Sequence, residues 1–82
     1  MTSKLEGKTA LITGASEGVG EAIAELFGQH KMRIGLIARS EEKLKAVAER
    51  IQKKGSQTLV LPADLRIRKD IESVVAEAKQ KF

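Results

Sequence analysis

Short apolar runs and helix-spaced apolar residues alternate along this chain of 82 residues, and this alternation limits its possible folds more than any other feature. Three runs of aliphatic and β-branched residues have the length and composition of buried strands. They lie at Lys8–Thr13, Arg33–Ala38 and Gln57–Leu61, and Pro62 closes the last one. Because each run is nearly continuous in apolar residues, it is typical of a parallel sheet that is covered by helices.

An amphipathic helix is predicted after each strand. The first extends from about Gly18 to Gln29, and the second follows a Ser40 cap and stops at Gly55. Glu41 and Glu42 lie in the first turn of the second helix, where acids suit the helix dipole. The helix-spaced apolar residues are Val19, Ile23, Leu26 and Phe27 in the first helix, Leu44, Val47, Ala48 and Ile51 as the buried stripe of the second, and Ile71, Val74, Val75, Ala78 and Phe82 in the third.

The order of these elements is β-α-β-α-β-α, which predicts one three-stranded parallel sheet. Right-handed crossovers give the strand order 3-2-1 and put the first two helices on the same face. The first strand then lies at an open edge of the sheet, and exposed edge strands promote association. We therefore expect a single α/β domain over residues 1–82 that associates with itself through Thr9–Thr13.

Composition excludes several kinds of site. The chain has no Cys and a single His, His30, so disulfides, thiolate catalysis and a histidine-rich metal site are ruled out. No apolar run approaches the ~20 residues that a membrane span needs. The first residues also lack the apolar core of a signal peptide. We expect a cytoplasmic protein with neither a metal nor a membrane partner.

The net charge of +4 raises the question of nucleic-acid binding. A nucleic-acid surface would carry a basic stripe of one sign. Here acids and bases are interleaved, with Glu before Lys at i,i+4 spacing in Glu41–Lys45, Glu49–Lys53 and Glu77–Lys81. This order stabilises an exposed helix. The charges therefore indicate solvated helix faces, and we expect no nucleic-acid partner.

A glycine-rich turn joins the first strand to the first helix. It reads Thr13-Gly14-Ala15-Ser16-Glu17-Gly18-Val19-Gly20. Glycines let the backbone turn tightly and approach a ligand without a Cβ in the way, and the N–H groups that begin the next helix attract phosphate. Its position directly after a strand and before a helix favours a phosphate cradle over a merely structural turn.

The pattern Thr13-Gly14-x-x-x-Gly18-x-Gly20 resembles the cofactor fingerprint of the short-chain dehydrogenase/reductase family. Ala38-Arg39-Ser40 after the second strand and Ala63-Asp64-Leu65 after the third also match, in the family's order. The resemblance covers the whole chain. It implies a Rossmann-type sheet that binds NAD(H) or NADP(H), in an enzyme that moves a hydride to or from an alcohol or ketone carbon. The cofactor-binding residues that it implies are Gly14, Ser16, Gly18, Val19 and Gly20 at the ribose and pyrophosphate, and Asp64 and Leu65 at the adenine.

The residues after the second strand indicate which dinucleotide would bind. An NAD site uses an acid there to hold the ribose 2′-OH, whereas this chain has Ala38 followed by Arg39 and Ser40. A guanidinium pairs with a 2′-phosphate through charge-assisted hydrogen bonds. We therefore expect NADP(H) rather than NAD(H). Glu17 opposes this preference, because it lies in the turn near the expected 2′-phosphate, unless its side chain points away.

The family's catalytic residues come later in its chains, as an Asn-Ala-Gly stretch, a Ser and a Tyr-x-x-x-Lys motif. None of these is present, and the chain has no tyrosine. We therefore assign no catalytic residue and expect the opening part of such an enzyme, unable to transfer hydride alone. Compared with the full fold of the family, it would be a partial domain with an incomplete doubly wound fold. The alternatives are a stand-alone dinucleotide-binding module and an interaction protein that uses the open edge strand. A 3-oxoacyl-type substrate is common among relatives, although no residue here supports it.

Overall fold

The computed structural model describes residues 4–82 and contains one sheet with three helices. In chain order the elements are β1 (Thr9–Thr13), α1 (Gly18–Gly28), β2 (Arg33–Ala38), α2 (Glu41–Gln52), β3 (Gln57–Pro62) and α3 (Arg68–Lys81). The strands are parallel and lie in the order β1-β2-β3, which confirms the predicted sheet. None of the helices within residues 4–82 is long and apolar enough to cross a lipid bilayer.

β2 is the central strand, and its pairing on both sides sets the register of the sheet. Leu36 lies opposite Ile12 of β1 and Val60 of β3. The four consecutive β2 residues from Ile34 to Ile37 are all buried. A strand that is buried on both faces needs helices on both sides of the sheet. The continuous apolar pattern of this strand therefore follows from its central position.

Two hydrophobic cores of unequal size occupy the two faces of the sheet. The larger core includes Ile34 and Leu36 of β2 together with residues of α1 and α2. The smaller core joins Ile37 and Leu61 of the strands to Val74 of α3. Because α1 and α2 share one face and α3 packs on the other, the arrangement is doubly wound, as predicted from the right-handed crossovers.

The apolar residues of α1 are less buried than those of α2, whose predicted stripe is fully inside. The buried residues of α1 are Ala24 and Gly28, whereas Val19 and Leu26 are 76% and 61% exposed. Small residues face inward because α1 packs closely on α2: a Cβ on Gly28 would lie 3.0 Å from Cγ2 of Ile51. The helical spacing predicted this helix correctly, but it did not identify the face that is buried.

The predicted apolar face of α3 is only partly covered. Val74 and Ala78 are buried, but Ile71 and Val75 are 42% and 43% exposed. The smaller core offers α3 few apolar partners: besides Val74 it contains Ile37, Leu61 and Ala63, with Leu59 packed against it. Only part of the apolar stripe of α3, at Val74 and Ala78, is therefore buried.

Ion pairs connect the two helices that share a face. Arg50 of α2 donates to Glu25 of α1 at 3.0 Å and also pairs with Glu21. The hydrogen bond to Glu25 and the charge of both acids raise the pKa of Arg50. Of the three predicted Glu–Lys pairs, only Glu77–Lys81 is in contact within residues 4–82, at 3.1 Å.

A buried serine ties the loop after α2 to the end of α1 and the start of β2. Ser56 is 5% exposed. Its Oγ donates to the carbonyl oxygen of Gly28 at 2.8 Å and accepts from the backbone N–H of Met32 at 2.9 Å. One side chain thus satisfies two backbone groups that belong to different connections.

Ser56→Ala should lower the free energy of unfolding by about 1–3 kcal/mol, because two buried backbone groups lose this partner. Chemical denaturation of the 82-residue chain measures the change. The matched control is Ser73→Ala on the exposed side of α3, which should alter stability by less than about 0.5 kcal/mol. Equal stability of the two variants would contradict the structural role of Ser56.

Candidate functional site

The carboxyl ends of the three strands meet at one edge of the sheet, where a cleft of about 570 Å³ opens. A loop leads from each strand end into a helix, so backbone N–H groups and polar side chains converge there. The cleft is lined by Gly14, Ser16 and Glu17 after β1, by Ile37, Ala38, Arg39, Ser40 and Lys43 from β2 into α2, and by Ala63, Asp64, Leu65 and Arg66 after β3.

The turn between β1 and α1 depends on glycine in two different ways. Gly14 and Gly18 both have a φ of +63°, which other L residues rarely adopt. No atom lies within 4 Å of the position that their Cβ would take, so a bound group can approach this backbone closely. Gly20 has no such free space, because a Cβ at this position would overlap the carbonyl group of Gly14. Only glycine at position 20 therefore allows α1 to start this close to β1.

The amino terminus of α1 suits an anion. Glu17 is its N-cap residue, and the Glu17 side chain accepts no hydrogen bond from the first turn. Backbone N–H groups without a cap, at the positive end of a helix dipole, favour phosphate. α2 differs, because Ser40 Oγ accepts from the backbone N–H of Lys43 at 3.2 Å and caps that helix, as predicted.

Arg66 holds the carboxylate of Asp64 in place after β3. Its Nη2 donates to Oδ2 at 2.8 Å and its Nε donates to Oδ1 at 3.0 Å. The backbone N–H of Arg66 also donates to Oδ1, at 3.0 Å. These bonds, those of the guanidinium first, hold the pKa of Asp64 well below its usual range. The Asp64 backbone N–H in turn donates to Asp70 Oδ2 at 2.8 Å, which fixes the loop to α3.

Three cationic and two acidic side chains line the cleft. Arg66 pairs with Asp64, and Nζ of Lys43 lies 3.7 Å from Oε2 of Glu17. Arg39 makes no ion pair with any residue in the described part of the chain. Within residues 4–82 the cleft therefore holds one cation that is in no ion pair. The same residues contain no cluster of acids and histidine that could hold a metal ion.

Most of the predicted site residues come together in this cleft. Its lining includes Gly14, Ser16, Glu17, Arg39, Ser40, Asp64 and Leu65. The other three, Gly18, Val19 and Gly20, form the first turn of α1 and are not among the described residues that line the cleft. Their part in cofactor binding stays a prediction, as do the individual roles of the lining residues.

Two charged residues of the cleft, Lys43 and Arg66, were not among the predicted site residues. Both carried a usable signal. Lys43 is the third residue after the Ser40 cap, so it must lie on the first turn of α2, beside the strand ends. Arg66 follows Asp64 by two residues within the same loop, where a long basic side chain can fold back onto the carboxylate.

One protein-family model matches most of the chain. The family model described as short chain dehydrogenase matches residues 8–82. The chain belongs to the short chain dehydrogenase family. The resemblance inferred from the glycine-rich turn and the two later motifs is thereby confirmed, and the match extends from the start of the first predicted strand through α3.

Individual relatives in this family agree with the fold. Oxidoreductase UcpA of Salmonella typhimurium is 40% identical over 77 residues, which are 94% of this chain and 29% of that protein. The crystal structure of L-sorbose reductase from Gluconobacter frateurii, complexed with NADPH and L-sorbose, is 34% identical with a TM-score of 0.92, and the match covers 100% of this chain and 32% of that one. A metagenomic short-chain oxidoreductase in complex with NADP is 37% identical with a TM-score of 0.87 over 93% of this chain and 34% of that one. The chain thus spans about a third of the length of these proteins.

Arg66→Gln should raise the pKa of Asp64 toward its ordinary value, because the guanidinium hydrogen bonds are lost. A carboxyl group with a lowered pKa in the folded state stabilises the fold at pH values above its ordinary, unfolded-state pKa. This contribution is lost as the pH falls through the pKa of the folded state. Carboxyl carbon shifts in an NMR titration measure the change directly. The control Arg68→Gln removes an exposed guanidinium that pairs with Glu72 instead. An unchanged Asp64 titration in Arg66→Gln would contradict this account.

Proposed function

We propose that this chain forms the dinucleotide-binding part of an NADP(H)-dependent short-chain dehydrogenase/reductase. Such an enzyme moves a hydride between the nicotinamide ring and an alcohol or carbonyl carbon, and the dinucleotide supplies or accepts that hydride when bound. The observation that carries the proposal is the unpaired Arg39 in a cleft that begins with a glycine-rich turn. Solved relatives complexed with NADPH and NADP support the same choice of cofactor.

The β1–α1 turn fits the pyrophosphate end of a dinucleotide. The open space beside Gly14 and Gly18 leaves room for phosphate oxygens near the backbone. The uncapped first turn of α1 offers N–H donors and the positive end of its dipole. Ser16 and Val19 complete the set of residues that we propose for this end, with Gly20 allowing the helix to begin close to the strand.

The adenosine end fits the loops after β2 and β3. Arg39 is exposed and forms no ion pair within the described residues, so its guanidinium can donate hydrogen bonds to a 2′-phosphate. Ser40 lies beside it, and its hydroxyl can donate to the phosphate while it accepts from the helix backbone. Asp64, held ionised by Arg66, can accept from the adenine amino group, and Leu65 offers its backbone N–H in the same loop.

The reaction itself needs residues outside this set. With no tyrosine in the chain, no side chain here can act as the phenolic acid or base of the family. We therefore propose binding without hydride transfer for these 82 residues, which form a single, partial dinucleotide-binding domain. A 3-oxoacyl substrate, a cytoplasmic location and the lack of a nucleic-acid partner stay predictions.

Arg39→Ala should reduce the preference for NADPH over NADH by about 10- to 100-fold, since a charge-assisted hydrogen bond contributes about 1.5–3 kcal/mol. Calorimetric titration with both dinucleotides at fixed, low salt measures the ratio of dissociation constants. Arg68→Ala, an exposed arginine outside the cleft, is the matched control and should leave that ratio unchanged. An unchanged ratio in Arg39→Ala would overturn the assignment of NADP(H).

A second candidate function, self-association through β1, is supported by the sheet topology. β1 pairs only with β2 among the described strands, so its other edge exposes backbone N–H and C=O groups. Leu11, at the middle of this strand, is 45% exposed. An apolar edge of this kind can add a strand from a second copy of the chain.

Leu11→Lys should weaken self-association by about tenfold or more, or about 1.4 kcal/mol, because a charge on an edge strand opposes pairing. Sedimentation equilibrium over a range of protein concentrations measures the monomer fraction. Leu26→Lys on α1 is the control, since it charges another exposed leucine away from the sheet edge. A wild-type chain that stays monomeric throughout, or equal association of the two variants, would overturn this second function.

A further inference from the structure

We propose that Lys43 strengthens the preference for NADP(H) by acting through Glu17. In this view Lys43 neutralises the Glu17 carboxylate and so keeps the cleft attractive to a 2′-phosphate. The inference rests on the proposed NADP(H) function and adds a positioning residue to it. It also accounts for an acid in the turn, which the sequence alone presents as an obstacle to NADP(H).

The geometry brings the two residues together across the mouth of the cleft. Glu17 precedes α1, and Lys43 lies on the first turn of α2, yet Nζ and Oε2 are 3.7 Å apart. Both side chains line the cleft, together with Arg39 and Ser40. The pair therefore lies in the same cleft as the groups that would hold the 2′-phosphate.

The position of Lys43 on α2 is unfavourable for a cation. The first turn of a helix lies at the positive end of its dipole, where acids stabilise and bases destabilise. Glu41 and Glu42 follow this rule in the same turn, and Lys43 does not. An acid across the cleft offsets this cost, and Glu17 is the acid that contacts Lys43.

Removing Lys43 would change the charge balance of the cleft. Arg39 and Arg66 would then face Glu17 and Asp64, so that cations and acids would be equal in number. Arg66 is already engaged by Asp64. The uncompensated Glu17 would either repel a phosphate or compete with it for Arg39, and both effects weaken NADPH binding more than NADH binding.

A double-mutant cycle separates this mechanism from a direct contact between Lys43 and the phosphate. The variants are Lys43→Gln, Glu17→Gln and the two combined, each titrated calorimetrically with NADPH and NADH at low salt. Lys43→Gln should lower the preference for NADPH by about twofold to fivefold, the range of an exposed ion pair. In the Glu17→Gln background the same change should have no effect. Lys43→Arg, which keeps the charge, should restore the wild-type ratio.

Lys45→Gln removes an equal charge two residues further along α2, outside the cleft, and should leave the ratio unchanged. An equal loss from Lys43→Gln in both backgrounds would assign Lys43 to direct phosphate binding and overturn the inference while the proposed function stands. No change from Lys43→Gln would overturn it as well. Failure of the wild-type chain to bind NADPH would overturn the proposed function, and this inference with it.

Discussion

The pairing of β2 with a parallel neighbour on each side is the constraint on which the rest of the structure depends. It buries the four central residues of β2, and it requires helices on both faces because parallel strands are joined by crossovers. It also brings all three strand ends to one edge of the sheet. The glycine-rich turn, the Arg39 loop and the Asp64 loop are far apart in sequence and meet in one cleft for this reason.

Glycine then decides how close the first helix comes to that edge. The absence of a Cβ at Gly20 lets α1 begin against the carbonyl group of Gly14, and the left-handed conformation of Gly14 and Gly18 turns the chain within a few residues. In the same segment the amino terminus of α1 is uncapped, because the side chain of its N-cap residue, Glu17, accepts no hydrogen bond from the first turn. A structural requirement and a phosphate-binding feature therefore coincide in one segment.

The electrostatics of the cleft depend on which charges find partners. Arg66 forms an ion pair with Asp64, and Lys43 forms one with Glu17. Neither pair could be deduced from i,i+4 spacing along a helix. Arg39 forms no ion pair within residues 4–82. The selectivity that we propose comes from this difference between paired and unpaired cations rather than from the net charge. A cation that is already paired with an acid attracts a phosphate less strongly.

Much of this protein could be predicted from its sequence, because the determining signals are local. Apolar periodicity predicted all six elements, and the bounds that it gave for the three strands and for α1 agree with the structure to within a residue. The Ser40 cap located the start of α2, and the glycine spacing located the turn and indicated the family. The buried face of α1 and the pairing of Lys43 with Glu17 could not be predicted in this way. Both depend on how close α1 and α2 come to each other, and only the packing of the tertiary structure sets that distance.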